Sequence, residues 1–173
     1  YRIDMLGIDY YFPIRVKARE TAYDKDVFHP EFYYEPWVMP GRKYNADRGW
    51  EIYEEAVVDI GMRIKEDYDN IPWFISENGI GIEGEDRYRN KEGYIDDDYR
   101  IDFLKGHLQR ALKVRNMGSN CFGYFVWSFV DNLSAINAFK NRYGLLELDL
   151  KTGNRIPKKS LYWFKEIMKD RQV

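Results

Sequence analysis

Short, nearly continuous apolar runs at three places along the 173-residue chain predict buried β-strands. The runs cover residues 3–12, 71–76 and 121–129, and the last of them (CFGYFVWSF) is the most continuous. A strand of this kind is typical of a parallel sheet, in which both faces of the strand are covered. A shorter fourth strand is predicted at residues 143–150.

Three other segments carry apolar residues three or four positions apart, a spacing that predicts amphipathic helices. In the first of them, Ala56, Ile60 and Ile64 fall on one face. The acidic residues 96–98 are expected to cap the second helix, because side-chain oxygens and negative charge are favourable at a helix N-terminus. The predicted helices cover residues 54–68, 96–116 and 158–169.

The elements follow the order strand, helix, strand, helix, strand, helix, which predicts an α/β fold with a parallel sheet and right-handed crossovers. Two architectures fit this order: a small open doubly wound sheet, and part of a (β/α)8 barrel. In both, ligands and catalytic groups lie at the carboxyl ends of the strands. Residues 10–11, 77–78 and 127–128 occupy these ends and are expected to converge on one rim.

The connection between the first predicted strand and the first helix, residues 13–49, is expected to be irregular. It carries Pro30, Pro36, Pro40 and Gly41, which interrupt regular structure. A connection of this length inside a compact domain is usually functional or disordered. Its many aromatic side chains argue against disorder.

Composition excludes several classes of function. Lys and Arg total 27 and Asp and Glu total 29, giving a formal net charge of −2, whereas a general nucleic-acid binder carries a basic excess. No apolar run approaches the roughly 18 residues of a transmembrane helix. The single cysteine, Cys121, allows no intrachain disulfide, and His29 and His107 are far apart, so no metal or other cofactor is predicted.

Aromatic residues make up 17% of the chain, an unusually high proportion. Tyr and Trp combine an apolar ring with a polar end, which suits a site for a half-polar ligand such as a sugar. An aromatic-rich core would account for the same figure.

Glu77 is the first candidate for chemistry, because it directly follows the strand at residues 71–76 and precedes Asn78 and Gly79. A carboxylate at the mouth of a buried strand is partly desolvated and needs neighbours that hold its charge. The Tyr11 hydroxyl could be one of them. A carboxylate so placed can act as a nucleophile in sugar chemistry. The alternative is that Glu77 begins a turn and caps the next segment.

Five motifs, in order along the chain, resemble those of family 1 of the glycoside hydrolases. They are residues 4–11 (DMLGIDYY), 49–53 (GWEIY), 75–79 (ISENG), 127–132 (WSFVDN) and 142–145 (RYGL). The resemblance implies a (β/α)8 TIM barrel. Residues 1–173 would then be the C-terminal part of a single barrel domain, with about strands six to eight and their helices, and no second domain.

The resemblance also implies retaining hydrolysis of β-glycosides, in which two carboxyl groups lie roughly 5–5.5 Å apart. Glu77 is then the nucleophile, Tyr11 its hydrogen-bond donor, and Trp127 the floor beneath the sugar ring. Asp9 stands where the family usually has Asn.

The chain departs from the family at the acid/base residue, a Glu within a Thr-x-Asn-Glu-Pro segment. The only Glu followed by Pro is Glu35, and its surroundings (YYEP) do not match that segment. We therefore expect a truncated chain that has little or no glycosidase activity alone. Its expected partner is the missing N-terminal part of the same barrel.

Two positions after the third strand bear on the substrate. Family members that act on neutral sugars have a Glu–Trp pair where this chain has Ser134 and Ala135. A carboxylate there would repel a phosphate, whereas a serine can donate a hydrogen bond to it. Members that act on 6-phospho-sugars have a Ser there, followed downstream by a Lys and a Tyr. Tyr143 matches the Tyr; the Lys position two residues before it holds Asn141, with Lys140 next to it.

The resemblance thus predicts a phosphate site formed by Ser134, Tyr143 and either Lys140 or Asn141, and Ala135 favours phosphoglucosidases over phosphogalactosidases. The predicted function is that of a 6-phospho-β-glucosidase acting on small phosphorylated β-glucosides. A cytoplasmic location is favoured by the charged substrate and the lone cysteine. Three alternatives stay open: a neutral β-glucosidase, a 6-phospho-β-galactosidase, and a non-catalytic carbohydrate-binding fragment. No nucleic-acid or membrane partner is expected, and the oligomeric state stays open.

Overall fold

The computed structural model of the protein describes residues 3–21, 29–170 and 173. Its strands are β1 (Leu6–Asp9), β2 (Val16–Ala18), β3 (Tyr34–Pro36), β4 (Tyr44–Asn45), β5 (Trp50–Glu51), β6 (Trp73–Asn78), β7 (Ile82–Glu83), β8 (Cys121–Val126), β9 (Asn141–Arg142), β10 (Leu146–Leu148) and β11 (Arg155–Pro157). Its α-helices are α1 (Ala56–Asp67), α2 (Asp98–Asn116) and α3 (Lys159–Asp170). Two short 3-10 turns, Pro30–Phe32 and Glu85–Tyr88, complete the regular structure of these residues.

Strands β1, β6 and β8 form a parallel sheet in that order, with α1 between β1 and β6 in the chain and α2 between β6 and β8. The predicted alternation of strands and helices is confirmed. Strands β1 and β8 are shorter than their apolar runs, since β1 covers Leu6–Asp9 and β8 ends at Val126, whereas β6 has the predicted length but begins two residues later. Within the described residues, β1 and β8 each have β6 as their only neighbour in this sheet.

The expectation of an irregular connection at residues 13–49 is wrong for part of its described residues. Strands β2 and β3 pair antiparallel, and β4 pairs antiparallel with β5. These strands are two or three residues long, which is too short to leave an alternation of apolar and polar residues in the sequence.

The strand predicted at residues 143–150 is confirmed over part of its length, as β10. Strand β9 pairs with β7, whereas β10 pairs with β11, both antiparallel. Between them the backbone of Gly144 passes very close to the loop after β8. A Cβ at position 144 would lie 2.2 Å from the backbone nitrogen of Asp131, so this approach requires glycine.

The sheet packs against α1 and α2 through Trp73, which is fully buried in β6. Its indole N–H donates to Ser119 Oγ over 2.9 Å, and the Ser119 hydroxyl donates to the Gly61 carbonyl over 2.8 Å. A Cβ on Gly61 would lie 2.5 Å from the Trp73 ring and 2.7 Å from Val114 Cγ2. The distance between α1 and the sheet is therefore set by one tryptophan and one glycine.

Three phenylalanine rings form an incompletely covered cluster on β6 and β8. The ring centroid of Phe74 lies 5.2 Å from that of Phe122 and 5.7 Å from that of Phe125. Phe122 and Phe125 are 52% and 59% exposed. The described residues therefore leave apolar surface uncovered next to the open edge of β8.

A buried ionic cluster joins the loops after β6 and β8 to α2 and to the start of α3. It consists of five side chains that are at most 5% exposed: Glu85, Asp97, Arg100, Asp131 and Lys158. Lys158 Nζ lies 2.5 Å from Glu85 Oε2 and 3.0 Å from Asp131 Oδ1. Arg100 lies 2.8 Å from Glu85 and 2.9 Å from Asp97. Burial, followed by the charge of Arg100, lowers the pKa of Lys158, and the two carboxylates oppose this shift.

The expectation that residues 96–98 cap α2 is wrong for Asp97. This residue precedes α2, but its side chain accepts no capping hydrogen bond from a backbone N–H of that helix. Its carboxylate instead accepts from the backbone N–H of Ser160 over 2.7 Å and from the Ser160 hydroxyl over 2.6 Å. Asp97 therefore provides an acceptor for a free backbone N–H in the first turn of α3, a helix about sixty residues further along the chain.

His107, expected to be structural, is fully buried in α2. Its Nδ1–H donates to the Phe103 carbonyl over 2.8 Å, because a carbonyl can only accept, and Nε2 has no hydrogen-bond partner. Burial lowers the pKa of His107 to about 4. The folded protein therefore holds this imidazole neutral at physiological pH.

We expect the free energy of unfolding to fall as the pH is lowered from about 6.5 to about 4, with His107 contributing up to about 3 kcal/mol of the fall. In this window the unfolded chain binds a proton that the folded protein excludes. The stabilisation that comes from neutral His107 is thus fully present above about pH 6.5 and is lost as the pH falls towards about 4. Urea unfolding of the wild type and of His107→Leu, each at about pH 5 and about pH 7, measures the effect. An equal fall in both proteins would show that other groups cause it.

Candidate active site

The carboxyl ends of β1 and β6 bring Tyr11 and Glu77 together. The two strands lie side by side, with Asp9 opposite Glu77. The Tyr11 hydroxyl donates to Glu77 Oε2 over 2.8 Å, and both side chains are partly exposed. Burial, and then the hydrogen bond to Glu77, raise the pKa of Tyr11 well above its ordinary value. Tyr11 therefore stays protonated and remains a donor to the carboxylate.

Asn78 fixes the strand ends around Glu77. It is fully buried, its Nδ2 donates to the Tyr10 carbonyl over 2.6 Å, and its Oδ1 accepts from the Tyr124 hydroxyl. Its backbone carbonyl accepts from the Trp127 N–H over 2.8 Å. The backbone that carries Glu77 is thus held to β1 on one side and to the end of β8 on the other.

Trp127 follows β8 and passes directly beside Gly79. A Cβ at position 79 would lie 1.8 Å from the Trp127 carbonyl oxygen, so only glycine fits there. The peptide bond between Trp127 and Ser128 is cis. Each residue of the Glu-Asn-Gly sequence therefore has a structural reason. Glu77 places a carboxylate at the rim, the Asn78 amide joins three strand ends, and Gly79 allows the close approach of the Trp127 backbone.

Asp9, which stands where the family usually has Asn, lies on β1 beside this pair. Its Oδ1 accepts from the Ser76 hydroxyl over 2.7 Å. The bond links the strand ends of β1 and β6 immediately before Tyr11 and Glu77, so it contributes to their alignment.

Lys140, one of the two alternatives for a phosphate ligand, is engaged elsewhere. Its Nζ lies 3.2 Å from Glu83 Oε1. It also lines a cavity of about 200 Å³ whose wall includes Glu85, Asp86 and Glu147. The same wall includes Arg142.

Asn141 and Tyr143 face a different part of the rim. Asn141 is 3% exposed, and its Oδ1 accepts from Arg48 Nη1 over 3.2 Å and from the Asn137 amide. Tyr143 is buried, and its ring meets that of Tyr11 edge-on at a centroid distance of 6.4 Å. The structure therefore brings Tyr143 next to Tyr11, and Asn141 next to an arginine.

Ser134 and Ala135 lie in a loop that is closed by two backbone hydrogen bonds between Ser134 and Ala138, each 2.9 Å long. The Ser134 hydroxyl oxygen accepts from the Ile136 N–H over 3.3 Å, so its own hydrogen can be donated to a ligand. Ala135 is exposed. The loop is joined to the rest of the site through Asn137.

Arg48 is a residue of the rim that the sequence did not single out. Its guanidinium carbon lies 4.1 Å from the centroid of the Trp50 ring, and the Trp50 centroid lies 5.8 Å from that of Tyr11. Its place directly before the family motif at residues 49–53 is the signal that could have found it.

The model of glycosyl hydrolase family 1 matches residues 1–173. The chain belongs to this family. It is 53% identical to the 6-phospho-beta-glucosidase GmuD of Bacillus subtilis (strain 168) over 167 residues, which cover 95% of this chain and 36% of GmuD. A 6-phospho-beta-galactosidase of Clostridium acetobutylicum is 43% identical over 129 residues, which cover 74% of this chain and 26% of that protein. The chain thus spans between about a quarter and about a third of the length of these relatives.

Solved structures of the family share the fold. The family 1 b-glucosidase from Thermotoga maritima matches with a TM-score of 0.83 and 31% identity, covering 99% of this chain and 36% of that one. The same values hold for the beta-glucosidase from Thermotoga maritima in complex with deoxynojirimycin. These matches confirm that the sheet and its helices are part of a (β/α)8 barrel, and they exclude the open doubly wound sheet.

Three further features of the described residues concern membrane spans, metal ligands and the cysteine. None of their helices combines the length and the apolar character that a membrane span requires. No three His, Cys, Asp or Glu side chains among them are grouped so that they could hold a metal ion. Cys121 is buried and free.

Proposed function

We propose that this chain forms the nucleophile-bearing part of a retaining 6-phospho-β-glucosidase. The observation that carries the proposal is the Tyr11–Glu77 pair at the carboxyl ends of β1 and β6. A carboxylate held by a protonated phenol at the mouth of a barrel is suited to attack an anomeric carbon. The alternative role of Glu77 as a turn cap is disfavoured, because its partner Tyr11 is 66 residues away in the chain.

In the proposed reaction, Glu77 attacks the anomeric carbon, the glycosidic C–O bond breaks, and a glycosyl-enzyme forms. A second carboxyl group, roughly 5–5.5 Å away, protonates the leaving oxygen and then activates the water that releases the sugar with retained configuration. Trp127 offers its ring to the apolar face of the sugar.

The second carboxyl group is proposed to come from the N-terminal part of the barrel, because this chain lacks the Thr-x-Asn-Glu-Pro segment. Two features of the described residues support that partner. The edges of β1 and β8 are open, and Phe122 and Phe125 are more than half exposed beside β8. A closed barrel would pair both edges.

The phosphorylated glucoside is supported by the 53% identity to GmuD, a 6-phospho-beta-glucosidase, and by Ser134 and Ala135 in place of Glu and Trp. A 6-phospho-β-galactoside is the second candidate, favoured by the 43% identity to the relative from Clostridium acetobutylicum. A sugar phosphate is charged and does not cross membranes readily, so the proposed substrate supports a cytoplasmic location.

An enzyme assay on a completed barrel tests the proposal. The completed barrel joins the part of GmuD that precedes its matched segment to this chain, and GmuD itself is the positive control. We expect kcat/KM for p-nitrophenyl 6-phospho-β-glucoside to exceed that for the unphosphorylated glucoside and for the 6-phospho-β-galactoside by at least about 100-fold. A preference for the neutral glucoside would contradict the proposed substrate. Turnover by this chain alone would contradict the need for a second carboxyl group from outside it.

We expect Tyr11→Phe to lower kcat of the completed barrel about 10- to 100-fold, because a hydrogen bond to a carboxylate is worth about 1.5–3 kcal/mol. The matched control is Tyr10→Phe, which removes a hydrogen bond of 2.7 Å to the Tyr53 carbonyl. That variant should keep its kcat. Equal losses in the two variants would assign the effect of Tyr11 to folding and not to the carboxylate.

A further inference from the structure

A 6-phosphate in the site needs a cation, and the residue that would supply it is not evident from the family pattern. The position that holds Lys in members acting on 6-phospho-sugars is Asn141 in this chain. The neighbouring Lys140 pairs with Glu83 at 3.2 Å. Asn141 is uncharged, and the charge of Lys140 is paired with that of Glu83.

Arg48 occupies the place next to Asn141. Its Nη1 donates to Asn141 Oδ1 over 3.2 Å, while its Nε is buried and has no hydrogen-bond partner. Asn141 Nδ2 is likewise buried and without a partner, as is Oδ1 of Asn137, whose amide donates to Asn141. Two neighbouring side chains thus each carry an unsatisfied donor, and a buried donor without an acceptor costs about 1–3 kcal/mol unless a ligand provides one.

The charge of Arg48 is not neutralised by the described residues. Its chain neighbour Asp47 pairs with Arg87 at 2.7 Å. In the described part of the chain, no carboxylate lies within ion-pair distance of Arg48, whose hydrogen bond goes to an amide. A guanidinium in such a place favours an anionic ligand.

The position of Arg48 is well defined. It lies in the turn between β4 and β5, and Asn45 in β4 donates from Nδ2 to the Gly81 carbonyl over 2.8 Å. Glu51 in β5 receives two hydrogen bonds from Arg15, of 2.6 and 2.7 Å. The stacking of the guanidinium on Trp50 and its hydrogen bond to Asn141 then fix the direction of the side chain. The charge of Arg48 also opposes the rise in the pKa of Tyr143 that burial causes.

We propose that Arg48, and not Lys140, is the cation that binds the 6-phosphate of the substrate, with Asn141 Nδ2 and the Tyr143 hydroxyl as neutral donors beside it. The inference rests on the proposed function. A guanidinium presents several N–H donors in one plane and matches the oxygens of a phosphate in pairs. The missing Lys at position 141 is then compensated by an arginine from the β4–β5 turn.

Kinetics of the completed barrel with phosphorylated and neutral p-nitrophenyl β-glucosides test this assignment. The quantity measured is the ratio of kcat/KM for the phosphorylated substrate to that for the neutral one. We expect Arg48→Gln to lower this ratio about 10- to 100-fold, mainly through KM of the phosphorylated substrate. Lys140→Gln, the matched control, should leave the ratio within about twofold of the wild type. Adding Asn141→Lys to Arg48→Gln should restore most of the ratio, because it returns a cation to the position used by phospho-sugar enzymes.

The outcomes separate this inference from the proposed function. If Lys140→Gln lowers the ratio and Arg48→Gln does not, the inference is overturned while the preference of the wild type for the phosphorylated substrate still stands. If Arg48→Gln lowers kcat/KM for both substrates equally, Arg48 supports the fold and the inference is also overturned. If the wild-type completed barrel prefers the neutral glucoside, the proposed function itself fails.

Discussion

Glu77→Gln is expected to lower kcat of the completed barrel by at least about 10,000-fold, while the protein folds and still binds its substrate. Glutamine keeps the size of the side chain and can still accept a hydrogen bond from Tyr11, but it cannot form the glycosyl-enzyme. The measurement is the steady-state hydrolysis of p-nitrophenyl 6-phospho-β-glucoside. The control is Glu83→Gln, which removes an exposed carboxylate on β7 that pairs with Lys140 and should leave kcat unchanged.

A second variant identifies the role of Glu77 through its product. Glu77→Ala leaves a space beside the anomeric carbon that a small anion such as azide can enter. With a good leaving group, azide should restore part of the turnover and yield a glycosyl azide of inverted, α configuration, since it attacks from the face opposite the leaving group. A Glu77→Gln protein with the kcat of the wild type would show that Glu77 is not the nucleophile. Binding of the phosphorylated glucoside without turnover, equal in the wild type and in Glu77→Gln, would instead support the alternative of a non-catalytic carbohydrate-binding fragment.

Lys158→Met is expected to lower the free energy of unfolding of the completed barrel by about 3–5 kcal/mol. Methionine fills a similar volume, but it leaves the buried carboxylates of Glu85 and Asp131 without the ammonium group that lies 2.5 and 3.0 Å from them. The free energy of unfolding falls because these two buried carboxylates lose one of the cations that offset their desolvation. Urea unfolding followed by tryptophan fluorescence measures the change.

The matched control for Lys158→Met is the next residue in the chain. Lys159 also forms an ion pair, at 2.7 Å from Asp98, but its side chain is 49% exposed. Lys159→Met should change the free energy of unfolding by less than about 1 kcal/mol, because water screens an exposed pair. Similar losses in the two variants would mean that burial of the ionic cluster does not determine its contribution.

The sheet and its helices could be predicted from the sequence because their apolar residues follow regular periods. Trp73 and Ile75 in β6, and Val57 and Ile64 in α1, are buried as those periods require. The short strands β2 to β5 could not be predicted, because each has only two or three residues and is held by backbone pairing instead of an apolar face.

Part of the candidate site was also predictable. Glu77 and Tyr11 were identified from their place at the strand ends, and the structure joins them by a hydrogen bond. The partners of charged residues were not predictable. Asp97 reads as a cap for the helix that follows it and Lys158 as a charge at a helix start, yet both belong to one buried cluster. Their partners come from loops and from another helix, and sequence periodicity carries no information about such contacts.

The hairpin formed by β4 and β5 carries Arg48 on an element separate from the strand that bears Glu77. Its base is held to the barrel by Asn45 and Glu51, whereas its turn carries Arg48, and Glu77 is borne by the different strand β6. With Arg48 in its proposed role, substitutions in the turn would change which substituent on the sugar the site accepts, without disturbing the proposed nucleophile. In evolutionary terms, bond cleavage and substrate choice would then vary independently, and exchange of the few residues of this turn would be a short mutational path between neutral and phosphorylated substrates.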